Sequence, residues 1–414
     1  MQIPNLSKCK MLRKMLHSHL WQRLPRPFRR AALFRVTSLF APRPKVKVKA
    51  TEPILVVGAL RTASGLGESA RLCHDALKAE GLKVYGIDLT ASLMQVEDVP
   101  DFPFTDGRTY EGQGSLIIHV NAPLMPQVML CLGRRLVRDK RIIGYWAWEL
   151  PQVPDDWQFG IPFVHEIWVP STFTAKAVRS IAQNRPVRVV PHPVALRKLT
   201  AIPELRSAER PFTVLTFFNA ASGFFRKNPM AVIDAFRKAF STDGSAQLIV
   251  KASNLSVFPI SIELIQNGMQ GADNILLMNK TMSQAEIHKL YHESDVVMSL
   301  HHAEGFGLTI AEAMLHTLPV IVTDWSGNID FLNSERGIPI SYNLIPAKDP
   351  QGTYHYPNMR WANADTQAAA EALKKLRYDK DYAKRLGQAA ADYGRRAWSA
   401  ERYAKTVRGH LGLR

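Results

Sequence analysis

Two carboxylates, Glu304 and Glu312, stand eight residues apart in a stretch that opens His301-His302-Ala303-Glu304-Gly305-Phe306-Gly307-Leu308 and runs on into a helical segment. Gly305 and Gly307 let the backbone turn tightly and come close to a ligand. A helix starting after Gly307 would aim free amide N–H groups and the positive end of its dipole at the same point, which makes a phosphate site. Carboxylates repel phosphate, so Glu304 and Glu312 suit sugar hydroxyls, which donate hydrogen bonds. A loop glutamate and an unrelated helix glutamate would be the plainer reading. The apolar run Val296–Leu300 before the loop and the glycines within it argue against that.

A diphosphate also needs cations. Ser222-Gly223-Phe224-Phe225-Arg226-Lys227-Asn228-Pro229 lies between a strand candidate and a helix candidate, and Lys227 supplies a compact charge there. Lys251, at the end of the run Leu248–Val250, is a second source. In the first half of the chain, Gly58 to Arg71 contains the turn Gly65-Leu66-Gly67 directly after a strand candidate. His119-Val120-Asn121 and Tyr145-Trp146-Ala147-Trp148-Glu149 end two further strands. Strand ends face a ligand crevice in sheets of this type, so His119, Asn121, Trp146 and Glu149 are candidates for the side facing a second substrate. Pro191-His192-Pro193 reads as architecture.

These segments must be positioned by strands and helices in alternation. Strand candidates are Ile54–Val57, Val84–Ile87, Leu116–Val120, Ile142–Tyr145, Ile167–Val169 and Val187–Val190, with a helix from about Glu68 to Glu80. After a break at Leu196–Arg210 the series restarts with Thr213–Phe217, Leu248–Val250, Ile275–Leu277, Val296–Leu300 and Val320–Val322. Helices are expected near Met230–Phe240 and Thr309–His316. Repeated strand–helix units imply parallel sheets covered by helices, and two series imply two Rossmann-like domains with the ligand between them. The division expected is 1–50 as a basic arm, 51–205 as the first domain and 206–395 as the second, with 396–414 able to pack back on the first.

Glu304-x7-Glu312 with its Gly-Phe-Gly loop resembles the signature of glycosyltransferase family 4. Pro319-Val320-Ile321-Val322-Thr323-Asp324-Trp325-Ser326-Gly327-Asn328 resembles the strand and turn that follow it there. Tyr356 to Asp365 resembles a subset of bacterial members that build surface polysaccharides. The resemblance implies an α/β protein of the GT-B fold, two Rossmann-like domains facing a cleft, and a retaining transfer from a nucleotide sugar to a glycan or lipid-linked acceptor. It gives Glu304 the contact to the donor sugar and Glu312 the ribose. Phe306, Gly307 and Leu308 would hold the diphosphate through their amides, and Asn328 would lie beside the diphosphate or base. Lys227 matches the lysine of the family's diphosphate clamp. Its arginine falls on Ser222, a departure that Lys251 could offset. Gly65 and Gly67 match the glycine loop across the cleft. Where many relatives place a histidine after the strand ending at Tyr145, this chain has aromatics and Glu149.

No cofactor is expected, the nucleotide sugar being a substrate. The one Asp-x-Asp match that could hold a metal, Asp379-Lys380-Asp381, sits in a charged helical stretch. Positive groups and a helix dipole would then stabilise the leaving diphosphate.

Composition narrows the alternatives. The chain has 414 residues, 46% hydrophobic and 21% charged, which suits two globular domains. Cys9, Cys73 and Cys131 are too few and too widely spaced for a disulfide framework or zinc site, so a reducing, cytoplasmic setting is expected. Neither an apolar run long enough to span a bilayer nor a secretory signal is apparent. Thirteen lysines and arginines lie before the first acidic residue, Glu52, against a net charge of +17. The charge therefore belongs to an arm on a nearly balanced body. Leu16, Leu20, Trp21, Phe28, Leu33, Phe34 and Phe40 are interleaved with those cations, and Pro42–Lys49 reads as a linker. An anionic membrane surface, at the inner face, is the partner expected for such an arm. A nucleic-acid-binding or non-catalytic protein is the alternative, but the arm holds no recognised nucleic-acid motif.

Overall fold

The computed structural model describes residues 26–194 and 210–413, with side chains from residue 32 on. Residues 196–209 of the expected break, and Leu16, Leu20 and Trp21 of the arm, lie outside it; Phe28 lies in the helical part whose side chains are not described.

The chain folds into two parallel six-stranded sheets. The first contains β1 (Ile54–Gly58), β2 (Val84–Asp88), β3 (Gly114–Ile118), β4 (Lys140–Tyr145), β5 (Glu166–Val169) and β6 (Val187–Val189), in the order β2-β1-β3-β4-β5-β6. The second contains β7 (Phe212–Asn219), β8 (Ala246–Ser253), β9 (Ile275–Asn279), β10 (Val296–Ser299), β11 (Val320–Thr323) and β12 (Ile338–Ile340), in the order β12-β11-β10-β7-β8-β9. Strands such as Ile54–Gly58 are buried on both faces, so they read as continuous apolar runs rather than alternating ones. The strand order reverses between β1 and β3 and again between β7 and β10. Ligands bind outside the carboxyl ends of strands at such points. In the second sheet, the segments leaving that point are 220–227 and 300–307.

The helices are α1 (Arg26–Phe40), α2 (Gly65–Ala79), α3 (Met125–Val137), α4 (Thr172–Arg179), α5 (Phe224–Lys227), α6 (Pro229–Phe240), α7 (Ile260–Met269), α8 (Gln284–Glu293), α9 (Leu308–Leu315), α10 (Thr366–Tyr378), α11 (Lys380–Ala397) and α12 (Ala400–Leu411). The helix expected from Glu68 begins three residues earlier. Ser64 caps it, its Oγ accepting from the Gly67 N–H at 3.2 Å, so both glycines fall in the first turn. An antiparallel hairpin, β13 (Tyr342–Pro346) and β14 (Arg360–Ala364), leaves the second domain. Its residues Ala347, Tyr354, Met359 and Trp361 join the apolar core of the first domain. Helix α12 crosses back as well: Tyr403, Ala404, Val407 and Leu411 pack with Ile54, Val56, Ala70 and Leu77.

The described part of the N-terminal segment, expected as a basic arm, packs on the first domain. Helix α1 rests on α3 and on the turn at 155–163. Phe34 is buried, its ring 6.5 Å from that of Phe159, and cannot face lipid as expected. The stretch read as a linker is pinned: Lys45 pairs with Asp139, its carbonyl accepts from His165 Nε2 at 2.8 Å, and the Val48 carbonyl accepts from Arg141. Leu33, Val36, Leu39, Phe40 and Val46 remain exposed.

Candidate active site

The chain leaves β10 and reaches α9 through the loop 300–307. Gly307 sits at φ 101°, a left-handed conformation open to glycine, and turns the loop into the helix N-terminus. Gly327 lies flat against the loop. A Cβ there would stand 2.2 Å from the Gly305 carbonyl oxygen. The Gly327 N–H donates to the Glu304 carbonyl at 2.8 Å, and the Glu304 N–H donates to Ser326 Oγ at 2.7 Å. The first domain grips the same loop, because Ser171 Oγ donates to the Gly305 carbonyl at 2.6 Å. Asp330 accepts from the Thr172 N–H at 2.6 Å beside it. Phe306 turns its ring inward against His192, Phe331 and Trp398, so the loop can offer a ligand its backbone there. Leu308 opens α9, whose first N–H groups have no intrahelical acceptor.

Glu304 is buried between two cations. Lys227 pairs with its Oε1, and Arg226 Nη1 lies 3.2 Å from its Oε2. Burial alone would raise the Glu304 carboxyl; Lys227 and Arg226 outweigh it and bring it down to about 2. Burial depresses the Lys227 ammonium, with Glu304 opposing. Arg226, next to the expected cation Lys227, is the second cation and the hub of the site. Its Nη1 donates to the Ala303 carbonyl at 2.7 Å and its Nη2 to the Ser222 carbonyl at 3.0 Å. Nη2 is 3.9 Å from Glu149 Oε1, and the guanidinium lies 5.4 Å from the Tyr354 ring. Tyr354 O–H donates to Glu149 Oε2 at 3.1 Å. The available signal was two consecutive cations before Asn228-Pro229. Gly223 at φ 108° and Asn228 at φ 50° confine α5 to one turn, and both cations reach Glu304 from it.

The other expected residues fall as follows. Ser222 contributes its carbonyl to Arg226, while its own hydroxyl donates to the Asn219 carbonyl at 2.8 Å. Lys251 is buried, and the charges acting on it are Lys280 and Glu286; the cation that joins Lys227 at Glu304 is Arg226 instead. Glu312 is half-buried on α9 and accepts from Tyr291 O–H at 3.0 Å. Asn328 is fully buried. Its amide donates to the Thr323 carbonyl at 2.9 Å and its Oδ1 meets His301 Nε2 at 3.0 Å, so it shapes the loop from behind.

Across the cleft, a Cβ on Gly67 would meet the Thr62 carbonyl at 2.5 Å, whereas one on Gly65 would meet nothing within 4 Å. Gly65 is thus the position a ligand can approach. His119 is buried, its Nδ1 2.7 Å from Ser69 Oγ and its ring 4.5 Å from Tyr145. Burial, then His192, keep it neutral. Trp146 is buried against Trp157, and neither it nor His119 faces the cleft as expected. Asn121 Oδ1 accepts from the Ala147 N–H at 2.9 Å and so holds the segment leading to Glu149. Of these four, Glu149 meets the Glu304 cluster. Asp379 of the Asp-x-Asp match caps α11 by accepting from the Tyr382 N–H at 2.8 Å. Among the described residues, no three or more His, Cys, Asp or Glu side chains converge as a metal site.

Residues 172–403, more than half of the chain, match a family model described as family 4 glycosyltransferase in conflict systems. A curated relative is ORF330 of Acidianus filamentous virus 2, whose name proposes a glycosyltransferase; it is 24% identical over 212 residues, 51% of this chain and 57% of the relative. The chain thus spans little more than half of that relative's length. Among solved structures, Anabaena HepE in complex with UDP and glucose has a TM-score of 0.61 at 13% identity, covering 87% of this chain and 99% of HepE. A glycosyltransferase from Rickettsia africae has a TM-score of 0.62 at 15% identity over 88% and 98%. TarM of S. aureus, in complex with UDP among other ligands, has a TM-score of 0.54 at 12% identity over 72% and 55%. The chain therefore belongs to the family 4 glycosyltransferases of conflict systems and has the GT-B fold.

Proposed function

We propose that the chain is a metal-independent, retaining glycosyltransferase that moves a hexose from a nucleotide sugar to a glycan or lipid-linked acceptor. The observation that carries this reading is the Glu304–Lys227–Arg226 cluster beside the N-terminus of α9 at the β7/β10 switch point. Lys227 and the helix dipole suit a diphosphate, and Glu304 and Glu312 suit hydroxyls of the sugar and ribose. In the reaction, the bond from the anomeric carbon to the phosphate oxygen breaks. The acceptor oxygen bonds to that carbon on the same face, and its proton passes to the leaving phosphate. No positioned enzyme nucleophile is proposed. HepE and TarM, whose structures contain UDP, make a UDP-sugar the first donor to try. Bacterial surface polysaccharide or lipopolysaccharide synthesis is the process proposed, at the cytoplasmic face of a membrane. Among the described residues no helix is long and apolar enough to cross a membrane, and attachment is assigned to the N-terminal segment.

The test is a panel of UDP-, GDP- and ADP-sugars, read by thermal stabilisation and by slow hydrolysis with and without excess chelator. NMR of the first-formed product then gives the anomeric configuration. An inverted centre would defeat retention, and activity abolished by chelator would defeat metal independence.

A further inference from the structure

We propose that Tyr354 and Arg226 are positioning residues that hold Glu149 as the carboxylate orienting the acceptor hydroxyl opposite Glu304. The inference rests on the reading of the cleft as a glycosyl-transfer site.

Glu149 belongs to the first domain, and its two partners belong to the second. Tyr354 stands on the loop between β13 and β14, and that loop is built to aim it. Asp349 accepts from the Thr353 and Tyr354 N–H groups, each at 2.9 Å. Gln351 accepts from the Phe224 N–H at 2.6 Å and donates to the Ala220 carbonyl at 2.9 Å, which fastens the loop to the turn that carries Arg226 and Lys227. The Tyr354 ring packs 5.4 Å from that of Trp148, the residue before Glu149. One loop therefore sets both the phenol and the guanidinium that face Glu149.

The exposures differ in an informative way. The Arg226 side chain is 3% exposed and Tyr354 is buried, whereas the Glu149 side chain is 19% exposed. The partners are sealed and the carboxylate opens toward the cleft. Oε2 is occupied by the phenol, while Oε1 stands 3.9 Å from Arg226, too far for a hydrogen bond. Oε1 can thus accept from an incoming hydroxyl. The same guanidinium reaches Glu304 at 3.2 Å, so the two carboxylates sit within the span of one arginine. That places an acceptor-side carboxylate from the first domain near the donor-side one of the second.

Tyr354→Phe keeps the ring and removes the hydroxyl. With the nucleotide sugar that the parent cleaves in the panel, and water or glycerol as acceptor, kcat should fall roughly 10- to 150-fold, the worth of a hydrogen bond to a charged group. The Kd of the matching nucleoside diphosphate should stay within about twofold. Glu149→Gln should lower kcat at least as much, and adding Tyr354→Phe to it should cost little more, because Tyr354 acts through Glu149. Multiplying losses in the double variant would overturn the proposal, as would an unchanged kcat in Tyr354→Phe or a loss residing wholly in nucleotide affinity. A parent that binds and cleaves no nucleotide sugar overturns the donor reading itself. A parent that cleaves one normally while Tyr354→Phe matches it overturns the positioning role alone.

Discussion

Glu304 has to serve a neutral sugar while standing among charges, and the two cations beside it divide that work. Arg226, bonded to two backbone carbonyls as well, is fixed; the Lys227 ammonium pairs with the carboxylate and is the one a diphosphate can draw away. Glu304→Gln should therefore reduce turnover far more than nucleotide affinity. Lys227→Ala should weaken diphosphate ligands but leave a free nucleoside unaffected. Glu312→Ala should weaken nucleotide binding roughly 10- to 150-fold, as the loss of a charged hydrogen bond to ribose would. Titration calorimetry with nucleoside and nucleoside diphosphate separates these outcomes, and equal losses for both ligands in Lys227→Ala would contradict a phosphate role. Gly327→Ala is a different kind of change. Its Cβ would lie 2.2 Å from a backbone oxygen that Ser171 also holds, so it should cost stability by about 1–3 kcal/mol and lower nucleotide affinity together. Normal melting and normal binding would show that the loop is not built on that contact. Glu304 and Lys227 were legible because each sits on a glycine-marked turn between a strand and a helix. Arg226 was not, because sequence spacing does not tell which of two adjacent cations a one-turn helix aims inward.

At the scale of elements, strands buried on both faces announce themselves as apolar runs, and the sequence reading located eleven of the twelve sheet strands to within three residues at their ends; it missed β12, a three-residue edge strand that is only partly buried. The hairpin β13–β14 was not legible as a bridge to the first domain: Trp361 and Tyr354 look like ordinary surface aromatics until the first domain is packed beneath them. The docking of helix α1 was hidden by composition, since a basic segment with scattered apolar residues reads as an arm for an anionic membrane surface rather than as a helix packed on the first domain. Its docking through Phe34 divides its apolar residues into a packed set and an exposed one. Leu39 and Phe40, 79% and 75% exposed, belong to the second. With Arg35, Arg43, Lys47 and Lys49 nearby in the chain, that set suits an anionic lipid surface, where each cation close to the surface contributes about 1 kcal/mol. Full-length Leu39→Glu/Phe40→Glu should co-sediment less with phosphatidylserine vesicles than the parent and melt at the same temperature. Equal sedimentation of the two would remove this face as the anchor. Cutting the chain at Thr51 is a poorer test, because it would also strip the cover from Phe159 and Asp139.

Across the whole molecule, the two domains meet at a buried histidine as well as through backbone contacts. His192 of the first domain packs edge-on against Phe306 of the donor loop at 4.9 Å, and His301 and His302 lie on the strand-to-loop passage itself. Burial holds His192 down to about 3 and His301 and His302 down to about 4, and it depresses His119 too. The unfolded chain would protonate these rings near pH 6.5, while the folded chain resists until much lower pH. A group depressed in the folded state contributes stability that is present above its unfolded value and is lost as pH falls. Each proton bound only by the unfolded chain removes about 1.4 kcal/mol per pH unit. Glu304 follows the same sign in a lower window: it is depressed to about 2, so its contribution is intact above about pH 4.5 and fades below. The melting temperature should therefore fall between pH 7 and pH 4.5 on account of the histidines, before the carboxylates matter. Replacing His192 by Phe, which cannot titrate and keeps an aromatic ring against Phe306, should flatten that slope by about one proton's worth. Differential scanning calorimetry at half-unit steps checks both statements; a melting temperature independent of pH over this range, or a slope unchanged in the variant, would show that these rings are not held neutral by the fold.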